Sequence, residues 1–482
     1  MDQKLTQPHL PAALVVDLDG TLIASDLLLE LWLAAVKQDP WTLLLSPFWL
    51  LRGRCFLKQK LAQTVELDWT RLPYRKPVVD LILEERSKSN PVILASASPQ
   101  SAVKRIAEHL GYFDHFMGSD LENLKGKAKR TQIEKLLQGR PFRYVGDSWA
   151  DLDIWNGSAG AIAINPSSGL SAKLESISQK SGMPLQVFRD QRFSLKLISK
   201  ALRCHQWAKN GLLALPMIMG HFVKDLSRWE EVAIAFVSFS AASSTVYLLN
   251  DLLDLESDRK HATKKNRPFA SGALPLSFGI GAIPVLLLIS VITAALLPQA
   301  FGVMIGAYLA LNILYSFYLK KVLAIDVILL AGLYTLRILA GGVATDVPVS
   351  QWLLGFSTFF FFGLAMAKRY IELLRQVDRN TELHGRGYHP QDASSVFALG
   401  SAGSCLSVLI LVLYLNSDTA SRLYRRPEDL WLVAPCLLYW VSRVWILAHR
   451  KLIQDDPVVF ALKDRATWLT LSAVGLILYW AS

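Results

Sequence analysis

The chain has 482 residues, a formal net charge of +11, 52% apolar residues and a mean hydropathy of +0.30. This composition excludes an ordinary soluble protein, and the length allows two or three domains. The positive charge suits cytoplasmic loops and anionic lipid headgroups better than nucleic acid. Four scattered cysteines form no metal or CxxC spacing, so we expect no disulfide framework. The first twenty residues contain no cleavable signal, so we expect the N-terminus in the cytoplasm.

The N-terminal half alternates short β-branched stretches with helical patterns. The stretches AALVVDLDGT, PVILASAS, FRYVGDS and GAIAINP are typical of buried strands, which predicts a parallel α/β sheet. Between the first two strands lies a long Leu- and Trp-rich insert, residues 22–90, interrupted by Pro40 and Pro47. We predict an α-helical cap there, able to rest on the membrane surface. The Ser-rich stretch 165–195 is predicted to join the two halves of the chain.

Acidic residues follow two of the predicted strands. Asp17 and Asp19 end the first strand, Gly20 permits a tight turn, and Asp147 and Asp151 end a later strand. The carboxyl ends of parallel strands meet at one edge of the sheet, where such folds bind ligands. Three or four carboxylates at that edge favour Mg²⁺, which prefers hard oxygen ligands.

Further residues of this half are suited to binding a phosphate. Ser96 follows the second strand and can donate a hydrogen bond to a phosphate oxygen, with Ser98 as a competitor for that role. Lys129 or Lys127, in LKGKAK, can neutralise the charge of the phosphate. The sequence leaves both choices open.

With these four motifs in order, residues 10–190 resemble the haloacid dehalogenase (HAD) superfamily of phosphohydrolases. The resemblance implies that Asp17 attacks phosphorus and forms an aspartyl phosphate, while Asp19 protonates the leaving oxygen and later activates water. Of the two lysines, the resemblance favours Lys129 over Lys127 as the family's phosphate-neutralising lysine. The Mg²⁺ ligands that it implies are Asp17, the backbone carbonyl of Asp19, and Asp147, with Asp151 in support. A purely structural domain without activity is the alternative.

The C-terminal half contains nine apolar segments, each close to the length that crosses a bilayer. They lie near 206–222, 231–250, 274–297, 299–318, 322–343, 352–369, 394–416, 429–448 and 466–482. Basic residues mark alternate connections, which the positive-inside rule places in the cytoplasm. We therefore predict a HAD-like α/β domain with a cap at 1–195, followed by an all-α domain of about nine transmembrane helices at 196–482.

The second apolar segment runs into NDLLDLESDRKHATKKNRP. If its helix continues past the interface, Asp251, Asp254 and Asp258 lie on one face. Three acids on one face repel each other, and Mg²⁺ can relieve the repulsion while it binds the oxygens of a diphosphate leaving group. The following cations can hold the remaining negative charge: Arg259, Lys264, Lys265 and Arg267. Solvated loop charges are the alternative reading.

This motif resembles the first aspartate-rich motif of the UbiA prenyltransferase superfamily. QWAKN (206–210) and NRPFASGAL (266–274) match further stretches of that superfamily, and the resemblance covers about 200–482. It implies a Mg²⁺–diphosphate site formed by Asn250, Asp251, Asp254 and Asp258. Lys209 and Arg267 are then expected to meet phosphate.

The second half departs from the usual UbiA pattern. Where a second aspartate-rich motif is usual, this chain has AKRYIELLRQVDRN, with Lys368, Arg369 and Glu372. Together with LRILAGGVATDVPVSQW (336–352), this resembles the branch that transfers phosphoribose from phosphoribosyl diphosphate (PRPP) to a polyprenyl phosphate. Basic residues suit a ribose 5-phosphate and a lipid phosphate, although cations at a helix end also serve as interface anchors.

Three further residues are candidates for the substrate cavity of the membrane domain. Arg337 lies inside a predicted span, where a charge is costly without a partner, so it either lines a cavity or joins a structural ion pair. Arg386 and Tyr388, in the HGRGY stretch, are predicted to form part of a cytoplasmic lid.

Two functions follow from these motifs. The first is a Mg²⁺-dependent transfer of 5-phosphoribose from PRPP to a polyprenyl phosphate, followed by removal of the 5-phosphate by the HAD domain. The alternative is a UbiA-type prenyltransferase that moves an isoprenoid from a prenyl diphosphate to an aromatic or other acceptor, with a HAD domain of separate or regulatory role. Both predict a multi-pass protein of the inner or plasma membrane with its HAD domain in the cytoplasm, and both leave the oligomeric state open.

Overall fold

The computed structural model describes residues 11–120, 124–190, 194–377, 387–453 and 456–481. The chain forms two compact units, Met1–Leu202 with Tyr247–Pro284, and Arg203–Val246 with Val285–Ser482. The first unit therefore contains both the α/β part of the chain and the aspartate-rich segment. The proposed domain boundary at 195/196 stays a prediction.

In the part of the chain that the structure describes, six parallel strands form one sheet in the order β3-β2-β1-β4-β5-β6. Their bounds are β1 (Ala13–Val16), β2 (Val92–Pro99), β3 (His115–Ser119), β4 (Phe142–Gly146), β5 (Gly160–Ile164) and β6 (Leu185–Phe188). Helices cover both faces, so successive residues of β1 enter opposite cores: Leu14 and Val16 one, Ala13 and Val15 the other. The predicted parallel sheet is confirmed, and two edge strands, β3 and β6, are added to it.

Within the described residues up to 202, nine helices accompany the sheet. They are α1 (Leu27–Gln38), α2 (Thr42–Leu51), α3 (Arg54–Thr64), α4 (Lys76–Ser87), α5 (Gln100–Leu110), α6 (Lys127–Leu137), α7 (Leu152–Trp155), α8 (Ser168–Ser181) and α9 (Leu195–Ala201). The insert between β1 and β2 is helical, as expected. Short 3₁₀ turns at Trp69–Arg71 and Trp149–Asp151 complete this part.

The prediction that the Ser-rich stretch 165–195 joins the two halves was wrong, because α8 and β6 within it belong to the α/β part of the chain. Ser167 caps α8 by accepting a hydrogen bond from the backbone of Leu170, and β6 then pairs with the edge of the sheet. Leu170 and Leu174 lie one turn apart and are buried in the core. Serine-rich composition concealed this helical spacing, because serine is also favoured at helix caps.

The membrane half is helical. Its helices are α10 (Leu215–Met219), α11 (Leu226–Leu253), α12 (Leu255–Lys260), α13 (Leu276–Ala294), α14 (Gln299–Phe317), α15 (Ile325–Ala344), α16 (Gln351–Val377), α17 (Ala393–Leu415), α18 (Asp418–Leu423), α19 (Val433–His449), α20 (Pro457–Lys463) and α21 (Arg465–Ala481). The 3₁₀ helices are Cys204–Ala214, Lys264–Asn266, Leu319–Lys321, Pro390–Asp392 and Pro427–Leu432.

Six helices of the described residues are long and apolar enough to cross a membrane, so the predicted count of nine is not confirmed. The segment 206–222 forms a 3₁₀ helix and the five-residue α10, because Pro216 and Gly220 limit regular helix there. α21 has 17 residues, fewer than the six candidates have. Large apolar side chains on α13 and α14 are exposed, as lipid-facing residues are: Val285, Leu288 and Val303.

Candidate functional sites

Three carboxylates converge beside the carboxyl ends of β1 and β4. Asp17 follows β1, while Asp147 and Asp151 follow β4, and each offers an oxygen within 4.8 Å of the others. Asp151 is fixed by Ser148, whose backbone N–H and hydroxyl donate to its Oδ2 at 3.1 and 3.0 Å. Among the residues that the structure describes, no other group of three His, Cys, Asp or Glu meets this spacing.

A buried lysine accompanies the three carboxylates. Lys129 Nζ on α6 donates to Asp17 Oδ1 at 2.8 Å and to the Tyr144 hydroxyl at 3.0 Å, and that hydroxyl donates to Asp151 Oδ1 at 2.8 Å. Lys127, in the first turn of the same helix, is exposed. Of the two lysines left open by the sequence, Lys129 is the one that contacts Asp17, the proposed nucleophile.

The electrostatics of this cluster call for a further cation. Burial raises the pKa of Asp17 to about 7, against the lowering effect of Lys129. Burial and the nearby Asp17 and Asp151 carboxylates raise the pKa of Asp147 well above its ordinary value. Burial disfavours the charge on Lys129, yet the surrounding carboxylates raise its pKa overall. A donor set of carboxylate oxygens that one ammonium does not neutralise fits Mg²⁺.

Asp19 is held by hydrogen bonds on both of its oxygens. The backbone N–H of Leu27 donates to Oδ1 at 2.7 Å, and the hydroxyls of Ser98 and Ser96 donate to Oδ2 at 2.7 and 3.3 Å. Both serines thus lie beside the proposed acid, and the choice between them stays open. Gly20 has φ +71°, and a Cβ there would clash with the Asp147 carboxylate, which explains the glycine after Asp19.

Sequence reasoning missed one residue that stabilises this loop. Arg75, 6% exposed at the start of α4, donates through Nε to the Gly20 carbonyl at 3.1 Å and through Nη1 to Asp190 Oδ1 at 2.5 Å. It therefore buttresses the loop that carries Asp17 and Asp19. A single arginine in a long insert carries no local signal of such a role.

The aspartate-rich segment continues α11 after an interruption at Asp254. α11 ends at Leu253 and α12 begins at Leu255, yet the N–H groups of Asp254 and Asp258 still donate to the carbonyls four residues earlier, those of Asn250 and Asp254. Helical hydrogen bonding therefore continues across this interruption. Asn250 is half-buried, one turn before Asp254.

Asp251 and Asp258 share one cation. Arg267 Nη1 donates to Asp251 Oδ1 at 3.1 Å and to Asp258 Oδ2 at 2.6 Å, and both carboxylates are buried. Burial raises the pKa of Asp258, against the lowering effect of Arg267. Asp254 instead accepts a hydrogen bond from Lys37 Nζ on α1 at 3.0 Å. The structure thus brings Asp251 and Asp258 together, at a separation that one cation bridges, and directs Asp254 to the cap.

Two predicted phosphate ligands of the second compact unit meet at one carboxylate. Lys209 and Lys368 donate to the same oxygen, Asp456 Oδ2, at 3.4 and 3.0 Å. Asp456 also caps α20 by accepting from the backbone of Val458 at 3.0 Å, and the two lysines lower its pKa. Lys209 lies over the ring of Tyr334, 5.4 Å from its centroid. Sequence reasoning missed Asp456, whose only local signal is that of a helix cap.

Arg369 is fully buried in an ion-pair network. It donates to Asp326 Oδ2 at 2.6 Å and pairs with Glu372, while Tyr388 donates to Asp326 Oδ1 at 2.9 Å. These contacts place Arg369, Glu372 and Tyr388 in one cluster with Asp326, which sequence reasoning also missed. A buried, paired arginine of this kind is suited to holding helices in register.

Arg337 hydrogen-bonds to neutral groups. It donates to Asn210 Oδ1 at 3.0 Å, to the Leu333 carbonyl at 2.6 Å and to the Tyr308 hydroxyl at 3.1 Å, and is 5% exposed. These contacts satisfy the guanidinium inside a helix bundle. Arg386 lies outside the described residues.

The carboxylate cluster of the α/β part and the aspartate-rich segment of the helical part together define the class of protein. A carboxylate cluster at the edge of a capped parallel sheet is joined to apolar helices, one of which ends in an aspartate-rich segment. The model of the UbiA prenyltransferase family matches residues 213–462, and that of haloacid dehalogenase-like hydrolases matches residues 14–154. The chain belongs to the UbiA prenyltransferase family and carries an N-terminal HAD domain, so it is an integral membrane enzyme with transferase and phosphatase domains.

Three relatives show how far the similarity reaches. The uncharacterized protein y4nM of Sinorhizobium fredii is 37% identical over 94% of this chain and 88% of its own length. The nodulation protein NoeC of Azorhizobium caulinodans is 32% identical over 58% of this chain and 90% of its own length. The decaprenyl-phosphate phosphoribosyltransferase of Corynebacterium glutamicum is 40% identical over 36% of this chain. The matched region spans about half, 54%, of that last relative.

Solved structures resemble the two parts separately. A UbiA homolog from Archaeoglobus fulgidus bound to GPP and Mg²⁺ is 15% identical, over 59% of this chain and 99% of its own, with a TM-score of 0.45. A phosphoserine phosphatase, solved as a phospho-aspartyl intermediate analogue, is 20% identical over 35% of this chain and 98% of its own, with a TM-score of 0.26.

Proposed function

We propose that the membrane domain transfers 5-phosphoribose from PRPP to a polyprenyl phosphate, and that the HAD domain then removes the 5-phosphate from the lipid-linked product. The observation that carries the proposal is the convergence of Lys209 and Lys368 on one carboxylate. Two ammonium groups suit a phosphate-bearing acceptor or sugar. The relatives named decaprenyl-phosphate phosphoribosyltransferase support the same reaction.

The aspartate-rich segment is assigned to the diphosphate of PRPP. Mg²⁺, when bound there, neutralises the charge that develops on the leaving diphosphate. Asp251 and Asp258 would hold the cation, Asn250 and Asp254 belong to the same segment, and Arg267 would bind a phosphate oxygen. The bond from ribose C1 to the diphosphate oxygen breaks, and a bond from C1 to an oxygen of the lipid phosphate forms.

The basic residues of the second unit are assigned to the phosphates that stay with the product. Lys209 and Lys368 exchange Asp456 for a phosphate group, since the three side chains already lie within hydrogen-bond distance. Arg369, Glu372 and Tyr388 position the helices that carry this site. Arg337 is assigned to support its wall, and Arg386 stays a candidate lid residue from sequence alone.

The HAD domain is assigned two chemical steps. Asp17 attacks the phosphorus of the 5-phosphate and forms an aspartyl phosphate, while Asp19 gives its proton to the leaving ribose oxygen. Asp19 then takes a proton from the water that hydrolyses the intermediate and releases inorganic phosphate. Lys129 neutralises the phosphoryl oxygens, and Ser96 or Ser98 donates a hydrogen bond to one of them. Asp17, the backbone carbonyl of Asp19 and Asp147 would hold the Mg²⁺ that this family chemistry uses, with Asp151 in support.

Both sites are assigned to the cytoplasmic side of the inner or plasma membrane, in agreement with the basic loops between the apolar segments. PRPP and the lipid phosphate then enter from the same side. Joining two consecutive reactions in one chain raises the effective concentration of the intermediate at the second site.

A product assay tests the proposal. Purified protein in detergent is incubated with labelled PRPP, polyprenyl phosphate and Mg²⁺, and the lipid products are separated. Lipid-linked ribose is the expected product. The proposal fails if no ribose is transferred to any polyprenyl phosphate tested, and transfer of a prenyl group to an aromatic acceptor instead would establish the conventional UbiA reaction.

Two variants separate the two steps. Asp17→Asn is expected to accumulate the 5-phosphorylated lipid, because the nucleophile is lost while transfer continues. Asp254→Asn is expected to abolish transfer while hydrolysis of p-nitrophenyl phosphate is kept. Identical lipid products from Asp17→Asn and the parent would remove the HAD domain from this reaction.

A further inference from the structure

The cap helix α2 buries its polar side chains and exposes most of its apolar ones, which is the reverse of a helix in a soluble protein. Its two polar side chains, Thr42 and Ser46, are buried, at 2% and 8% exposed. Its large apolar residues except Trp49 face outward together with the preceding Trp41, and Leu51 reaches 85% exposed. The exposed set is Trp41, Leu43, Leu44, Leu45, Phe48, Leu50 and Leu51. A contiguous apolar surface of this size marks a contact with another apolar phase.

The bilayer is the partner that fits this surface. Ten residues of helix extend only about 15 Å, too little to cross a membrane, but enough to lie in its interface. The chain is itself a membrane protein, so lipid is always within reach. Exposed Arg52 directly follows α2, where a cation meets anionic headgroups, and Trp41 suits the boundary between headgroups and acyl chains.

We infer that α2 is buried in the membrane interface and anchors the HAD cap to lipid. α2 leads directly into α3, where Lys58 Nζ donates to the Ala97 carbonyl at 2.6 Å, between the two candidate phosphate-binding serines. The helix that follows the proposed lipid contact, α3, therefore touches the segment that carries the candidate phosphate-binding serines of the phosphatase site. Resting on the proposed function, this makes the HAD substrate a phosphate carried on a lipid at the membrane surface, rather than a freely soluble ester.

Photo-crosslinking tests the lipid contact independently of the reaction. Benzoylphenylalanine is introduced at Leu44 or Phe48 in the full chain, irradiated in native membranes, and analysed for lipid adducts by mass spectrometry. A matched control places it at Lys104, exposed on α5. We expect about tenfold more lipid adduct at α2 than at the control. Equal adduct at all three positions, or crosslinks to a second copy of the chain in place of lipid, would overturn the inference.

A kinetic comparison then addresses the substrate class. Leu44→Ser/Phe48→Ser is expected to lower HAD turnover of a phosphorylated lipid in vesicles about tenfold or more, because the anchored area is lost, and to leave p-nitrophenyl phosphate hydrolysis unchanged. An equal fall in both rates overturns the substrate assignment. A lipid adduct with no turnover of lipid phosphate by the parent rejects the proposed function and keeps the anchor.

A second inference concerns a buried ion pair inside the first compact unit. Glu30 on α1 accepts two hydrogen bonds from Arg259 on α12, at 3.0 Å to Nη1 and 2.6 Å to Nη2, and the two side chains are 3% and 8% exposed. Arg259 Nε also donates to the Ala270 carbonyl at 3.0 Å. One guanidinium thus joins the cap, the helix that carries Asp258 and the loop that follows it.

The same carboxylate reaches the phosphatase loop. The Ser25 hydroxyl donates to Glu30 Oε1 at 2.6 Å, and the Ser25 carbonyl accepts from the backbone N–H of Gly20 at 3.0 Å, directly after Asp19. A continuous chain of hydrogen bonds therefore runs from the HAD loop to Arg259, next to Asp258. Buried pairs with this many satisfied partners fix geometry when both members are present.

We propose that Glu30 is a positioning residue for the aspartate-rich site, acting through Arg259. It rests on the assignment of that site to a Mg²⁺–diphosphate. Loss of Glu30 leaves Arg259 buried and unpaired, next to Asp258, so the segment that presents Asp251 and Asp258 loosens.

Hydrogen exchange and binding measured on the full chain test this role. Glu30→Gln is expected to speed amide exchange in 250–274 about tenfold, and to weaken binding of inorganic diphosphate with Mg²⁺ by a similar factor. Arg259→Gln should do the same, and the double variant should be no worse than either single one. Glu256→Gln, on the exposed side of α12, is the control. Unchanged exchange in Glu30→Gln overturns the positioning role, whereas faster exchange with no diphosphate binding by the parent rejects the site assignment alone.

Discussion

Lys127 and Lys129 lie on the same helix, two residues apart, in different surroundings. Lys129 is 3% exposed and donates to Asp17, whereas Lys127 is exposed. Lys129→Met is expected to lower the rate of p-nitrophenyl phosphate hydrolysis by about 100-fold or more, because a preorganised cation is lost from the phosphoryl site. Lys127→Met should stay within about twofold of the parent.

Steady-state kinetics of the two variants, with circular dichroism to confirm folding, decide the matter. Equal losses in both would show that the lysines act through the general charge of the site. A loss confined to Lys127→Met would reverse the assignment.

The raised pKa of Asp17 links Mg²⁺ binding to pH. Its ordinary value is 3.8, and burial raises it to about 7 without metal. Between these values the folded state binds more protons than the unfolded state, so the metal-free domain loses stability as pH rises through that window. Mg²⁺ must displace this proton at pH 6 but not at pH 8, so the rise in melting temperature on adding Mg²⁺ should be larger at pH 8.

Thermal unfolding of the parent and two variants at both pH values measures this effect. Asp147→Asn should remove most of the Mg²⁺-dependent rise, and the exposed Asp120→Asn should keep it. The same rise at pH 6 and pH 8 would contradict the link to Asp17.

At the scale of single residues, the sequence predicts a site residue when a local motif places it at the end of a strand. DLDGT and GDSWAD each place their acids at a strand end, and the structure brings Asp17, Asp147 and Asp151 together. Asp456 and Glu30 could not be predicted in this way. Their partners Lys209 and Arg259 are 247 and 229 residues away, and no local pattern distinguishes either acid from an ordinary helix cap or a helix-surface charge.

At the scale of elements, one glycine fixes how the basic loop lies against the phosphatase part. Gly272 has φ +73°, and a Cβ there would lie about 2.5 Å from Ala24 Cβ. Gly272→Ala should therefore destabilise the protein by about 1–3 kcal/mol, through backbone strain and the contact with Ala24. Lowered melting temperature in the intact protein is the measurement.

Two companions make this test specific. Gly281→Ala, in α13 with open space around its Cβ, should change stability by less than about 1 kcal/mol. Ala24→Gly combined with Gly272→Ala should recover only the part of the loss that comes from the Cβ–Cβ contact, because the backbone carbonyl oxygen of residue 24, 2.6 Å from the same position, remains. If the double variant is as unstable as the sum of two independent losses, the contact has no role.

Elements were predictable where the pattern was strong and unpredictable where it was not. The buried runs of β1, β2, β4 and β5 are apolar and β-branched, so they stand out, whereas β3 and β6 are partly exposed edge strands with weak patterns. Hydropathy alone also cannot tell a span from a short apolar helix. QWAKNGLLALPMIMG has the right composition, but its glycines and Pro216 leave a 3₁₀ helix and one short α-helix.

At the scale of the molecule, joining the two domains in one chain has a kinetic consequence that can be tested. The α/β part and the aspartate-rich segment belong to one compact unit, and Glu30, Lys37 and Asp68 on the cap each pair with that segment. Under the proposed function, an intermediate released by the transferase meets a phosphatase site of the same chain at high effective concentration.

A mixture of single-site variants removes this advantage. Asp17→Asn supplies transfer and Asp254→Asn supplies phosphatase, so the dephosphorylated lipid forms only when the intermediate moves between molecules. In detergent we expect a lag before that product appears, longer on dilution, whereas the parent at the same site concentrations should show a shorter lag that dilution does not lengthen. Time courses of labelled lipid provide the measurement. Matching curves for mixture and parent at every dilution would mean that the intermediate equilibrates freely, and that joining the two domains contributes nothing to the passage of the lipid between them.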